Sequence, residues 1–142
     1  MAKGKQKNAG VPAWIYGLAG IVLLVVAYRV LAPGAAEAKH PQPREDITAA
    51  KIVSPSRYAD APKIARVYAM AARIPHVLDG LYCYCECSKH SGHRSLISCF
   101  ESDHGAMCDI CLGEVALAFR LAQEGKSLAQ IRAAIDAQFS KG

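Results

Sequence analysis

Residues 81–111 read LYCYCECSKHSGHRSLISCFESDHGAMCDIC, and this stretch holds every cysteine of the 142-residue chain. Cys83, Cys85 and Cys87 alternate with single residues, Cys99 stands alone, and Cys108 and Cys111 close the window. Six thiols within 29 residues are not the scatter of small buried hydrophobes. Disulfides and a metal centre are the two chemistries that use such a cluster. A disulfide needs Cα atoms about 4.4–6.8 Å apart with suitably aimed Cβ vectors. Next-but-one cysteines such as Cys83 and Cys85 would close a strained ring, so each would need a distant partner. Three such bridges stay open as an alternative, because an even cysteine count is also the mark of a disulfide framework.

The spacing favours a metal. A Cys-x-Cys-x-Cys run can curl its thiolates around one centre or a small cluster. Cys108 and Cys111, at i and i+3, share a face at the start of a helix, where the dipole and free N–H groups favour a thiolate. The expected ligands are Cys83, Cys85, Cys87, Cys99, Cys108 and Cys111, joined by His104 and His93. Six thiolates and an imidazole exceed the four ligands of one tetrahedral zinc. Soft sulfur donors select Cu(I), zinc or iron–sulfur clusters. Outside the cytoplasm Cu(I) leads, and zinc is the second choice. His90 is a weaker ligand candidate than His93, His40 and His76 read as solvated or capping residues, and Met107 as a packing residue with a thioether available to Cu(I). Glu86, Asp103 and Asp109 read as solvent-facing or capping, with Asp103 a candidate N-cap.

Outward from this window the pattern is helical, so the expected fold is mainly α. Asp60 reads as an N-cap with Pro62 in the first turn. Ile64, Val67, Tyr68 and Ala71 follow helical spacing, and Pro75 stops the run. After the cysteines, residues 106–123 read as a helix closed by Gly125. Ser127 with Gln130 is a capping-box pattern, and Leu128, Ile131, Ile135 and Phe139 continue as one apolar stripe. Two helices so closely joined predict a C-terminal helical hairpin, with an irregular Cys-rich loop before it.

The N-terminal side carries no such pattern. Residues 11–33 form an apolar run broken only by Arg29, about the length that crosses a bilayer core as a helix. Trp14, Tyr16 and Tyr28 suit the two interfaces, and Lys3, Lys5 and Lys7 in the 1–10 tail hold the N-terminus inside. A cleaved signal peptide, ending at Ala36-Glu37-Ala38, is the rival reading, and either one exports the rest of the chain. Residues 34–61 read as a Pro-rich spacer with one short helical turn around Ile47 to Val53, and residues 62–142 as the Cys-rich helical domain. The first thirty residues hold four basic groups and no acidic one, leaving thirteen basic against twelve acidic elsewhere. The folded part is therefore near neutral, which excludes a nucleic-acid face.

Leu81-Tyr-Cys-Tyr-Cys-Glu-Cys87, with His93, Ser98-Cys-Phe100, His104 and Cys108-Asp-Ile-Cys111, resembles the bacterial CYCxC/PCYCGC-motif family over about residues 62–140. The resemblance implies a small exported or lipid-anchored protein with a thiol-rich, metal-binding domain. Leu81 is taken to stand where many members have proline. No lipobox cysteine follows the apolar run, so a protein anchor replaces a lipid one.

Three functions compete on these residues. The first is a single-pass inner-membrane protein that buffers, delivers or senses Cu(I) on the outer side, with an exported cuproenzyme as partner. The second is a thiol–disulfide oxidoreductase using Cys108 and Cys111. The third is a zinc- or disulfide-stabilised accessory subunit of a larger membrane complex. No Ser-His-Asp arrangement, phosphate-binding glycine loop or zinc-protease motif occurs, which argues against hydrolytic or nucleotide chemistry.

Overall fold

The computed structural model describes residues 17, 20–24 and 39–140. Residues 34–142 form one compact unit. The described residues are helical or irregular, without a strand. Among them no helix is long and apolar enough to cross a membrane. The expected tail at 1–10, most of the expected span at 11–33 and the Ala38 cleavage site lie outside the described residues; 20–24 are helical.

Five α-helices carry the compact unit among the described residues: α1 Pro62–Arg73, α2 Pro75–Asp79, α3 Cys87–His90, α4 Asp109–Gln123 and α5 Leu128–Phe139. Pro62 opens α1 with the backbone angle a helix needs, but Ala61 is the N-cap and no side chain caps it. Asp60 therefore does not perform the expected capping. Tyr68 and Ala71 on the apolar face of α1 are fully buried. Ile74 adopts φ −132° and ψ 43°, because a residue before proline is pushed out of the helical region, and Pro75 starts α2 at an angle.

The hairpin of α4 and α5 forms as its sequence demands. Gly125 takes φ +73°, and the N–H groups of Gly125 and Lys126 donate to the carbonyls of Ala122 and Leu121. That pair of bonds satisfies carbonyls that the helix end would leave open. Ser127 Oγ accepts from the Gln130 N–H at 3.3 Å while Gln130 Oε1 accepts from the Ser127 N–H at 2.9 Å. Ile131 and Ile135 are buried and Leu128 and Phe139 pack beside them.

Two expectations need correction. Helix α4 begins at Asp109, not at residue 106. A 3₁₀ turn at Gly105–Met107 precedes it, and Cys108 between them is extended at φ −131° and ψ 107°. Gly105 lies so close to the chain that a Cβ would meet the Cys99 carbonyl at 3.0 Å and the Phe100 ring at 3.1 Å. Packing at this point breaks the helix that periodicity alone would extend.

The second concerns the spacer at 34–61. From His40 onward it packs on the helices: His40, Ile47 and Ile52 are buried, and 3₁₀ turns form at Ala49–Lys51 and Pro55–Tyr58. The Val53 N–H donates to the Phe100 carbonyl at 3.0 Å. Prolines made this segment extended but did not keep it off the core. Tyr58, Tyr68 and Phe100 meet in series, the first pair tilted and the second edge-on, at centroid distances of 4.5 and 4.8 Å, joining the segment, α1 and the Leu96–Phe100 turn. A fully buried Leu, Ile or Phe contributes roughly 1.5–3 kcal/mol. Leu78, Leu81, Leu96, Ile97 and Phe100 all qualify; the first two precede the cysteines and the other three lie among them.

Candidate metal centre

Local backbone decides where each thiol goes. An extended Cys83–Cys87 segment would send all three side chains to one face. Glu86 prevents this by taking φ 60° and ψ 22°, the one non-glycine residue in the left-handed region among those described. The turn starts α3 at Cys87, whose sulfur still lies within 4.8 Å of those of Cys83 and Cys85. Upstream, His40 fixes the segment. Its Nδ1 accepts from the Tyr82 N–H at 2.8 Å and its Nε2 lies 2.8 Å from Asp136 Oδ1. His40 is thus a buried strut, not the solvated residue expected. Asp136 also accepts from the Tyr84 hydroxyl.

A second strut lies at Asp79, fully buried at the end of α2. Its carboxylate accepts from the Arg44 side chain at 2.9 and 3.1 Å, from Arg94 at 3.0 Å and from Ser95 Oγ at 2.8 Å. Burial opposes its ionisation, but the bonds from Arg44 and Ser95 outweigh it and hold the carboxyl at about 2. Together with the Leu96 N–H donating to the Leu81 carbonyl at 2.8 Å, this clamps both ends of the irregular loop.

Inside that frame the sulfurs gather in two groups. Cys83 Sγ lies 3.3 Å from Cys85 Sγ and 3.5 Å from Cys111 Sγ, and Cys85 and Cys111 are 3.6 Å apart. In the second group Cys87 Sγ is 3.3 Å from Cys99 Sγ, which is 3.3 Å from His93 Nδ1. His104 Nε2 bridges towards the first group at 3.7 Å from Cys85 Sγ. Cys83, Cys87, Cys99 and Cys111 are buried, and Cys85 is half-buried.

Three overlapping sets have ligand atoms within 4.8 Å of one another: Cys83, Cys85, Cys87 and Cys99; Cys85, Cys99, Cys111 and His104; Cys87, Cys99, His93 and His104. Seven of the eight expected ligands are therefore brought together. Cys108 is in none of the sets. Its sulfur instead accepts from the Cys111 N–H at 3.4 Å, capping α4 as the N-terminal thiol. His90 stays exposed, as does Met107 at 83 %. Asp103 accepts from Arg57 and the Tyr58 hydroxyl and caps no helix.

Glu114 is the residue sequence reasoning missed. It is fully buried on α4, accepting from Cys83 Sγ at 3.0 Å and from the Tyr84 N–H at 2.8 Å. Burial pushes its carboxyl up to about 7, against those two bonds. The signal was present: Glu114 lies one turn after Cys111, on the face it shares with Val115 and Ala118.

The donor set fits a soft cation. Cys83, Cys85 and Cys111 would hold such an ion, since sulfurs 3.3–3.6 Å apart are compatible with shared zinc–sulfur bonds of about 2.3 Å. These sulfurs are also well beyond the roughly 2.05 Å of a disulfide. Without a cation the crowd resists ionisation. The Cys83 thiol is raised, led by its bond to Cys111, and burial raises Cys87. Cys85 alone moves the other way. Burial works against its ionisation, yet bonds from His104, Cys83 and Cys87 bring it down to about 6. Four buried thiols beside a half-buried one already inclined to ionise are a set that a positive ion would complete.

A family model described as a protein of unknown function with PCYCGC motif matches residues 35–142. No curated protein and no solved structure matches the chain. Aligned on its cysteines, the motif puts its proline at Tyr82, not at Leu81, and its glycine at Glu86. That glycine position is the one within the motif that has positive φ. Glycine takes this conformation without steric cost, so the motif and the turn have one physical explanation.

Proposed function

The chain belongs to the PCYCGC-motif family, and we propose that it is a membrane-tethered, extracytoplasmic protein that binds Cu(I) and passes it on by thiolate exchange. The observation that carries the binding is the cluster of five sulfurs and two imidazoles with ligand atoms inside 4.8 Å sets. Sulfur-rich, largely buried surroundings suit Cu(I), and zinc is the competing ion. The tether and the outward orientation rest on the apolar run at 11–33 and the lysines before it.

Transfer needs an accessible donor beside a closed site. Cys108 is half-buried, and Met107 next to it is exposed. A thiolate and a thioether at the rim offer a partner, such as an exported cuproenzyme, its first exchange ligands. The oxidoreductase alternative fares worse, because Cys111, which would have to resolve a disulfide on Cys108, is fully buried against Cys83 and Cys85, and its Cys99 neighbour and burial raise it against the lowering bond from Cys83. A thiol so placed is a poor nucleophile.

The test is metal binding by the chain purified anaerobically with reduced thiols. Titration with Cu(I) against a chromogenic Cu(I) chelator should show tight retention that Cys85→Ser weakens at least tenfold. Intact disulfides with no retained copper would reject the reading.

A further inference from the structure

The three donor sets are not three sites, since they share atoms. Cys99 is common to all of them, so its sulfur lies within 4.8 Å of Cys83, Cys85, Cys87, Cys111, His93 and His104 alike. It is fully buried in the Leu96–Phe100 turn, with Cys87 Sγ at 3.3 Å and His93 Nδ1 at 3.3 Å. The other three sulfurs form their own triangle with edges of 3.3–3.6 Å. One tetrahedral ion takes four donors, which would leave three of these seven buried together with nothing to bind. A neutral imidazole offers one lone pair to one metal, whereas a thiolate sulfur has lone pairs for two.

We propose that the centre holds two metal ions bridged by the Cys99 thiolate. One ion is bound by Cys83, Cys85 and Cys111, the other by Cys87, His93 and His104, and the Cys99 sulfur completes both. Every clustered donor is then used, and Cys108 stays outside as the rim thiol. The turn at Glu86 acquires a purpose in this arrangement: it divides the triple-cysteine run so that Cys83 and Cys85 serve one ion and Cys87 the other. The inference rests on the metal-binding reading above and adds the number of ions and the bridging atom.

The experiment loads the full-length chain, in detergent and without oxygen, with Cu(I) and separately with Zn(II), and reads stoichiometry by native mass spectrometry. X-ray absorption then reads the metal neighbours. Two ions per chain with a metal–metal vector are expected. His93→Ala, at a half-buried position, should lower the count from two to one while circular dichroism stays helical. Cys99→Ser should remove the vector, and His93→Ala carries the test if that variant does not fold. Saturation at one ion overturns the bridge and leaves the copper reading standing. Two ions without the vector, unchanged by Cys99→Ser, also overturn it. Two zinc ions with no copper retained would reject the copper reading and keep the bridge.

Discussion

Cys83 and Cys111, 28 residues apart in the chain, place their sulfurs 3.5 Å apart in the buried interior. One belongs to the motif loop and the other to the first turn of α4, so the pair exists only when these have docked. Assembly of the thiol cluster therefore requires the fold, and its buried cysteines double as core residues. Cys111→Ser should therefore lower metal retention at least tenfold and also lower the melting temperature of the loaded protein. Cys108→Ser, outside the clustered donors, should leave the metal content unchanged but slow transfer to a competing chelator several-fold in stopped-flow absorbance. Equal loss of metal in both variants would contradict the assignment.

Chelation of the loaded protein should lower its melting temperature, since a bound ligand stabilises only the folded state and the structural contribution vanishes with it. Differential scanning calorimetry with and without a Cu(I) chelator measures the shift. An unchanged transition would mean that the centre is not coupled to the fold.

Glu86→Gly removes a side chain from the left-handed region. Such a conformation costs a non-glycine residue roughly 1–2 kcal/mol, and glycine returns part of that as chain entropy. The exposed Glu86–Lys89 pair at 2.7 Å is lost and contributes little. Denaturant unfolding should show a gain of about 1 kcal/mol. A loss would mean that the carboxylate has a role beyond the turn.

Asp79 makes stability depend on acid. Its carboxyl is held at about 2 against an ordinary value of 3.8. A depressed folded value means the contribution is fully present above pH 3.8 and is lost as pH falls through about 2. The difference corresponds to about 2 kcal/mol. Asp79→Asn should destabilise the protein near neutral pH and flatten its acid decline, read from denaturant midpoints across pH 5 to pH 2. A parallel decline in both proteins would place the acid sensitivity elsewhere.

Glu114→Ala would leave the Tyr84 N–H without its buried acceptor, which costs about 1–3 kcal/mol. Thermal unfolding of the metal-free protein measures it. The conservative Glu114→Gln keeps an acceptor for Tyr84 and should recover most of the loss.

Much of this protein is local chemistry, and the sequence by itself determined that part. Helix ends follow from Pro62, Pro75, Gly125 and the Ser127–Gln130 box, because caps and forbidden backbone angles act over three or four residues. Clustering of cysteines and their resemblance to a motif family were equally legible, as both are properties of spacing. What tertiary structure decided lies beyond that range. Burial of His40 and of Ile47 and Ile52 depends on a surface made by helices far along the chain, so composition made them look like spacer. Cys108 looked equal to Cys111, yet the extended backbone at Cys108 sends one thiol to the helix cap and the other to the cluster. Glu114 became part of the centre only because docking of α4 against Cys83 and Tyr84 closes water out around its carboxylate. Spacing along a chain names the donors; which of them meet is set by the packing that brings distant segments together.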